Sequence, residues 1–349
     1  MLDFTNCNIK SVIAHQVGNK TNGDDIILSN SLLETDDLRL RELLIKYFLY
    51  PFSEMEEYYT FTFSNDDFKL NPLYQFSTDI FSENDKVQEL SKSIAKHLYE
   101  ISLHPQIKSG DLFVATFSNV SIDDKLVNVL GIFKSENRQP FLNLNKKSNK
   151  FVLNYEDGIN VEKLDKGCLI FNTEKEKGYK ICVIDKSNKS MEAQYWKDFF
   201  LNIKPTKNEY HFTKDFLGIT KNFVTKQLDE EFEVTKTDKI DLLNRSVDYF
   251  KKHETFDKQE FEKEVFGDKN VIKSFRQFDE TFREENEIEL ADNFEISAQA
   301  VKKQARVFKS VLKLDKNFHI YIHGNRELIE QGIDKDGRKY YKIYYEEEV

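Results

Sequence analysis

Apolar residues along the chain change their spacing twice. Residues 36–49 (DDLRLRELLIKYFL) place Leu40, Leu43, Leu44 and Tyr47 at helical intervals, which predicts an amphipathic helix stopped by Pro51. A second helix is predicted over 85–103, with Val87, Leu90, Ile94, Leu98 and Ile101 on one stripe and Pro105 closing it. The period then shortens. Residues 111–117 and 126–133 are apolar and β-branched and flank the polar segment 118–125, a hairpin pattern. Residues 151–155, 168–172 and 179–185 are three more strands, the last two flanking a charged turn that ends at Gly178. Residues 1–205 therefore read as an N-terminal antiparallel sheet with helices before it. The pattern is α+β rather than alternating βαβ.

Helical spacing returns at about residue 208, with helices predicted over 210–228, 239–252, 257–266 and 271–283. Asp257 stands as an N-cap with Glu260 in the capping-box position. Further on, Ser297 is placed to cap another helix. Val301, Ala305, Phe308 and Leu312 form its apolar stripe, and Lys302, Arg306, Lys309 and Lys313 repeat that spacing one residue later. One residue is about 100° of helical rotation, so the basic row lies beside the buried stripe. Its stems cover the core edge while the charged heads reach solvent. The tail reverts to strands: residues 318–323 alternate, and the tyrosine-rich 339–345 follows an Asp336-Gly337 turn. Residues 206–349 thus read as a mostly helical domain ending in a small β-hairpin. It contains an acidic segment at 227–295 and a basic helix at 297–313.

Charge sharpens this division. The chain of 349 residues carries 51 Lys+Arg against 61 Asp+Glu, a formal net charge of −10. Residues 227–295 hold 21 acids and 11 bases, so this segment alone carries −10 and the remainder sums to zero. Residues 296–326 invert the sign, with seven bases (Lys302, Lys303, Arg306, Lys309, Lys313, Lys316, Arg326) and one acid, Asp315. Such a balance speaks against coating nucleic acid with the whole surface. It leaves room for a local basic site, because phosphate contacts depend on charge within a Debye length of roughly 8 Å. No apolar run approaches the ~18 residues of a membrane helix, and residues 1–20 lack a secretory core, so the chain is expected in the cytoplasm. Thirty Phe and sixteen Tyr supply ample core. Cys7, Cys168 and Cys182 are odd in number and form no CxxC, which reads as buried, reduced thiols.

Catalytic motifs are missing. There is no GxSxG, Walker loop or GxGxxG, and twelve glycines leave little for phosphate cradles. His97 and His104 have no nucleophile motif beside them. His319-x-Tyr321-x-His323 has metal-like spacing on a helix, but its alternation favours a strand, where the two rings lie roughly 13 Å apart. Trp196 reads as a core or interface anchor. The expectation is a protein without enzymatic activity, cofactor or metal. Its one feature with a clear physical use is the basic row, whose cations lie about 6 Å apart and can follow phosphates.

Several stretches together resemble the 37-kDa nucleoid-associated protein family of bacteria. They are residues 96–100 (KHLYE), 131–136 (GIFKSE), 164–172 (LDKGCLIFN), 195–200 (YWKDFF) and 301–324 (VKKQARVFKSVLKLDKNFHIYIHG), in the same order along the chain. The resemblance implies residence on the nucleoid and binding to double-stranded DNA, with RNA a further ligand and a DNA topoisomerase a linked partner. It carries no residue-level site, so the contact set Lys302, Lys303, Arg306, Lys309, Lys313, Lys316 and Arg326 rests on charge and spacing alone. The rival expectation is a non-catalytic adaptor that meets a DNA-processing enzyme through the acidic surface. A homodimer would double the phosphate contacts of one small basic footprint.

Overall fold

A computed structural model describes residues 2–186, 195–286, 288–306, 308, 311–314, 318–322 and 328–347. The chain divides into two compact units, Met1–Thr206 and Lys207–Val349.

The first unit is built on an antiparallel sheet. Its strands are β1 (Leu2–Asp3), β2 (Asn8–Val17), β3 (Ile26–Ile27), β4 (Tyr59–Phe61), β5 (Gly110–Ile122), β6 (Lys125–Ser135), β9 (Lys166–Phe171), β10 (Lys180–Asp185) and β11 (Ile203–Pro205). The order across the sheet is β11-β4-β10-β9-β6-β5-β2-β3, with β1 added on β5. Between β6 and β9 the chain makes a separate two-stranded ribbon of β7 (Gln139–Lys147) and β8 (Lys150–Gly158). The β5–β6 hairpin turns tightly on Asp123 and Asp124, both with positive φ, as a two-residue loop with the right twist requires. The expected polar connection was wider because its outer residues join the ladder.

Both faces of the sheet are covered, so its central strands read as continuous apolar runs rather than alternating ones. On one face Ile132, Cys168, Ile170 and Ile181 pack under α2 (Pro72–Ser82) and α3 (Val87–Ile101), together with fully buried Trp196. On the other, Phe117, Phe133, Leu169 and Phe171 pack against the end of α1 (Leu38–Leu49). Phe48 stacks on Phe133 at 4.3 Å. Gly131 leaves the room for this, since a Cβ there would come within 2.4 Å of the Phe133 ring. The α1 stripe differs from its expectation. Leu40 and Leu43 stay exposed, and the buried residues are Tyr47, Phe48 and Leu49, because only the last turn meets the sheet. All three cysteines are free and buried, and burial pushes the Cys7 thiol up to about 12.

The second unit is mainly helical. It contains α4 (Glu209–Asn222), α5 (Lys236–Lys252), α6 (Lys269–Glu285) and α7 (Ala298–Ala305), with the short helix Lys258–Phe261 between α5 and α6. Phenylalanines fill its core: Phe216 lies 4.2 Å from Phe256, and Phe223 lies 5.2 Å from Phe275, centroid to centroid. Among the described residues, three two-stranded ribbons complete it, β12–β13 (Thr255–Asp257, Asn293–Glu295), β14–β15 (Val311–Leu314, Phe318–Tyr321) and the closing hairpin β16–β17 (Ile329–Ile333, Lys339–Ile343). Asp257 caps its helix through Glu260 N at 2.9 Å. The Glu260 carboxylate accepts instead from Tyr249 Oη at 3.0 Å.

The basic helix needs correction. It was expected to run over 297–313 but ends at Ala305, and Val311–Leu314 is strand. Leu312 and Leu314 share one face of β14, where Ile240, Ile320 and Ile322 receive them. Period-two burial against a partner strand therefore outcompetes the helical reading of the same residues. Lys302 and Lys313 therefore do not share one helical row.

Candidate nucleic-acid interface

Ser297 starts α7 by accepting from Ala300 N at 3.2 Å, and its own N–H donates to Thr213 Oγ1 at 3.0 Å. Those bonds set the helix on α4, with Ala300 and Val301 buried. Lys302 and Lys303 then stand on the exposed side, and Arg306 follows at the helix end, also exposed. The Lys303 ammonium lies 5.1 Å from the Tyr210 ring centroid, a cation–π contact that orients it without neutralising it. Lys313 is exposed on β14 opposite His319. Among the described residues, no ion pair engages Lys302, Lys303, Arg306 or Lys313. Lys309, Lys316, Arg326 and His323 lie outside the described residues.

Two hollows bring part of this set together. One, of about 740 Å³, is lined by Lys251, His253, Glu254, Glu295 and Lys302 among others. The second, of about 440 Å³, is lined by Asn244, Asp248, Lys251, Lys313, His319 and Tyr321 among others. They share Lys251 and Ala305, so Lys251 stands between Lys302 and Lys313. Sequence reasoning missed Lys251 because it counted with the acidic segment. Its place in the last turn of α5, which packs on α7, was the available signal. Tyr321 is 66% exposed and offers a ring face beside the cations. The carboxylates of Glu254, Glu295 and Asp248 line the same hollows, and Asp248 lies 3.5 Å from Lys251. Both hollows therefore carry mixed charge, lysines beside carboxylates, with all of these side chains exposed.

The acidic segment is partly consumed by the fold. Glu262, 1% exposed in its side chain, takes a forked contact from Arg276 at 2.6 Å. Asp279, equally buried, is held by Lys258 and Arg283 at 2.6 Å each. Asp229 pairs with Lys239 at 2.7 Å.

A second charged cluster lies in the first unit, drawn largely from the stretches 131–136, 164–172 and 195–200, though spacing alone did not pair its residues. Lys134 and Lys166, each 1% exposed, sit at adjoining ends of β6 and β9. Lys134 Nζ lies 3.0 Å from Glu136 and 3.1 Å from Tyr195 Oη, and Lys166 Nζ lies 2.8 Å from Asp185. Tyr195 Oη also donates to Glu136 at 3.0 Å. Burial pulls the Lys134 ammonium below its ordinary range, against the pull of Glu136. These charges are spent on one another, so the cluster ties strand ends together.

A family model described as nucleoid-associated protein YejK matches residues 13–338. No curated protein matches the chain.

Proposed function

Because the chain belongs to the nucleoid-associated protein YejK family, we propose that it resides on the nucleoid and holds double-stranded DNA. It does so largely without regard to sequence, through cations of its C-terminal unit. The observation that carries the reading is the set Lys302, Lys303, Arg306 and Lys313, exposed and outside any described ion pair. Lys303 stands on the same helix as Lys302, and Arg306 caps its end. Each phosphate they neutralise releases condensed counterion, which gives affinity without base readout. RNA offers the same phosphates and is a second ligand. The reading is one of binding, with no catalytic step, metal or cofactor.

The test is an electrophoretic shift with duplex DNA at two salt concentrations. With about four phosphate contacts, affinity falls ~100-fold between 50 and 200 mM salt. The variant Lys302→Glu/Arg306→Glu/Lys309→Glu/Lys313→Glu abolishes the shift. Unchanged binding by that variant, its fold intact, removes these residues from the interface.

A second reading draws on the acid that the fold does not consume. Glu230, Glu233, Glu280, Glu284 and Glu285 are exposed in the segment with net charge −10. That surface suits an adaptor for a basic DNA-processing enzyme such as a topoisomerase. Partners retained in a pull-down after nuclease treatment favour it, and their complete loss favours tethering through DNA.

A further inference from the structure

The β7–β8 ribbon pairs with no other strand among the described residues, and its nine rungs run from Gln139–Gly158 at the base to Lys147–Lys150 at the tip. Directly opposed residues share a face. One face therefore carries the rungs Pro140–Asp157, Leu142–Tyr155, Leu144–Leu153 and Lys146–Phe151. The other carries Asn143–Asn154, Asn145–Val152 and Lys147–Lys150 beside Phe141–Glu156. The ribbon is thus amphipathic, yet its apolar face meets solvent: Leu142 is 72% exposed, Leu144 62%, Phe151 70%, Leu153 59% and Tyr155 71%. Those five side chains present about 600 Å² of mostly apolar surface, as much as the largest patch on an ordinary monomer.

We propose that a second copy of this chain covers that face, ribbon against ribbon about a twofold axis. The charge pattern selects this occupant. Lys146 stands near the tip of the apolar face and Asp157 at its base, with leucines between. A twofold axis crossing the ribbon between the Leu142–Tyr155 and Leu144–Leu153 rungs stacks each of these rungs on the other one of the partner. It also lays the Lys146–Phe151 rung on the partner's Pro140–Asp157 rung, so each Lys146 reaches the partner's Asp157 diagonally, one strand spacing of about 4.8 Å to the side, twice by symmetry. No residue of the face then meets a like charge. Nucleic acid fits less well, because the two central rungs offer three leucines and a single donor, the Tyr155 hydroxyl, and the face's one cation, Lys146, is offset by Asp157. Two copies bury about 1,200 Å² together, the lower end of specific interfaces, so the dimer dissociates on dilution. The inference does not rest on the DNA reading.

Sedimentation velocity across a micromolar concentration series tests it. The wild type approaches twice 41.3 kDa as concentration rises. Leu142→Asp/Leu153→Asp stays monomeric throughout with an unchanged circular dichroism spectrum, because both positions are exposed in the monomer and tolerate charge. Lys146→Asp weakens association about tenfold, and Lys146→Asp/Asp157→Lys restores it. A monomeric wild type, a dimer indifferent to the leucine variant, or failure of the charge swap to restore association overturns the proposal. So does a leucine variant that loses duplex retention without a change in mass, which assigns the face to nucleic acid. A dimer that holds no DNA leaves this inference standing and removes the DNA reading.

Discussion

His15 shows how one residue's surroundings decide its chemistry. Its Nδ1 accepts from Ser29 N at 3.1 Å and its Nε2 donates to Ser91 Oγ at 3.0 Å, whose own proton goes to the Gln88 carbonyl at 2.9 Å. Both ring nitrogens are committed in the neutral form. Burial, reinforced by Lys92, pushes its pKa from 6.5 down to about 4. Between those values the unfolded chain binds the extra proton. The stabilisation is therefore complete above pH 6.5 and is lost as pH falls toward about 4. Lowering the pH from 7 to 5 costs about 2 kcal/mol through this residue. Urea unfolding of the wild type and of His15→Asn at both pH values measures it, the variant showing the smaller loss. Lys134→Met is expected to cost ~3 kcal/mol in the same assay, because it leaves the Glu136 carboxylate, 7% exposed, with only the Tyr195 hydroxyl and a Lys166 ammonium at 3.9 Å. Neither site was legible in the sequence. Nothing along the chain signals that a histidine near the start meets a serine 76 positions later, or that two strand-end lysines share a tyrosine.

Elements were legible where their burial pattern is local. The helices predicted over 85–103, 239–252 and 271–283 are Val87–Ile101, Lys236–Lys252 and Lys269–Glu285, and the strands predicted over 168–172 and 179–185 are β9 and β10. Strand β2, helix α2 and strand β7 were not among the predicted elements. The segment after Ala305 misled for a different reason. Val301, Phe308 and Leu312 are all buried as their helical spacing implied, yet Leu312 is buried from a strand. A stripe spaced i, i+4, i+7, i+11 says which residues are inside without saying which element carries them across a short connection. The start of α7 is more secure. Ser297→Ala removes its cap and is expected to cost about 1 kcal/mol, read as a lower urea midpoint with an unchanged slope. At the site, the consequence is geometric. Lys302 and Arg306 belong to the helix end and Lys313 to a ribbon, so the cations form an arc that takes in Lys251 rather than a straight row.

For the whole molecule, charge partition decides what a polyanion meets. On the proposed reading, a chain of net charge −10 holds DNA through a small cationic patch against a repulsive background. Its affinity is correspondingly more sensitive to salt than to sequence. Competition between duplexes of unrelated sequence at fixed salt is expected to show retention differing by less than ~10-fold, whereas a sequence-reading protein separates them by 10³ or more. Composition and apolar spacing determined the α+β class, the order of sheet before helices and the reversal of charge near the carboxy end. Each of these is additive or repeats along the chain. Tertiary structure alone decided that β14 is a strand, that Lys251 stands between Lys302 and Lys313, that much of the acid is consumed internally, and that β7–β8 stands apart with an apolar face uncovered. Those outcomes depend on which distant segments compete for the same surface, and the free energy of that competition is not written in any one stretch of sequence.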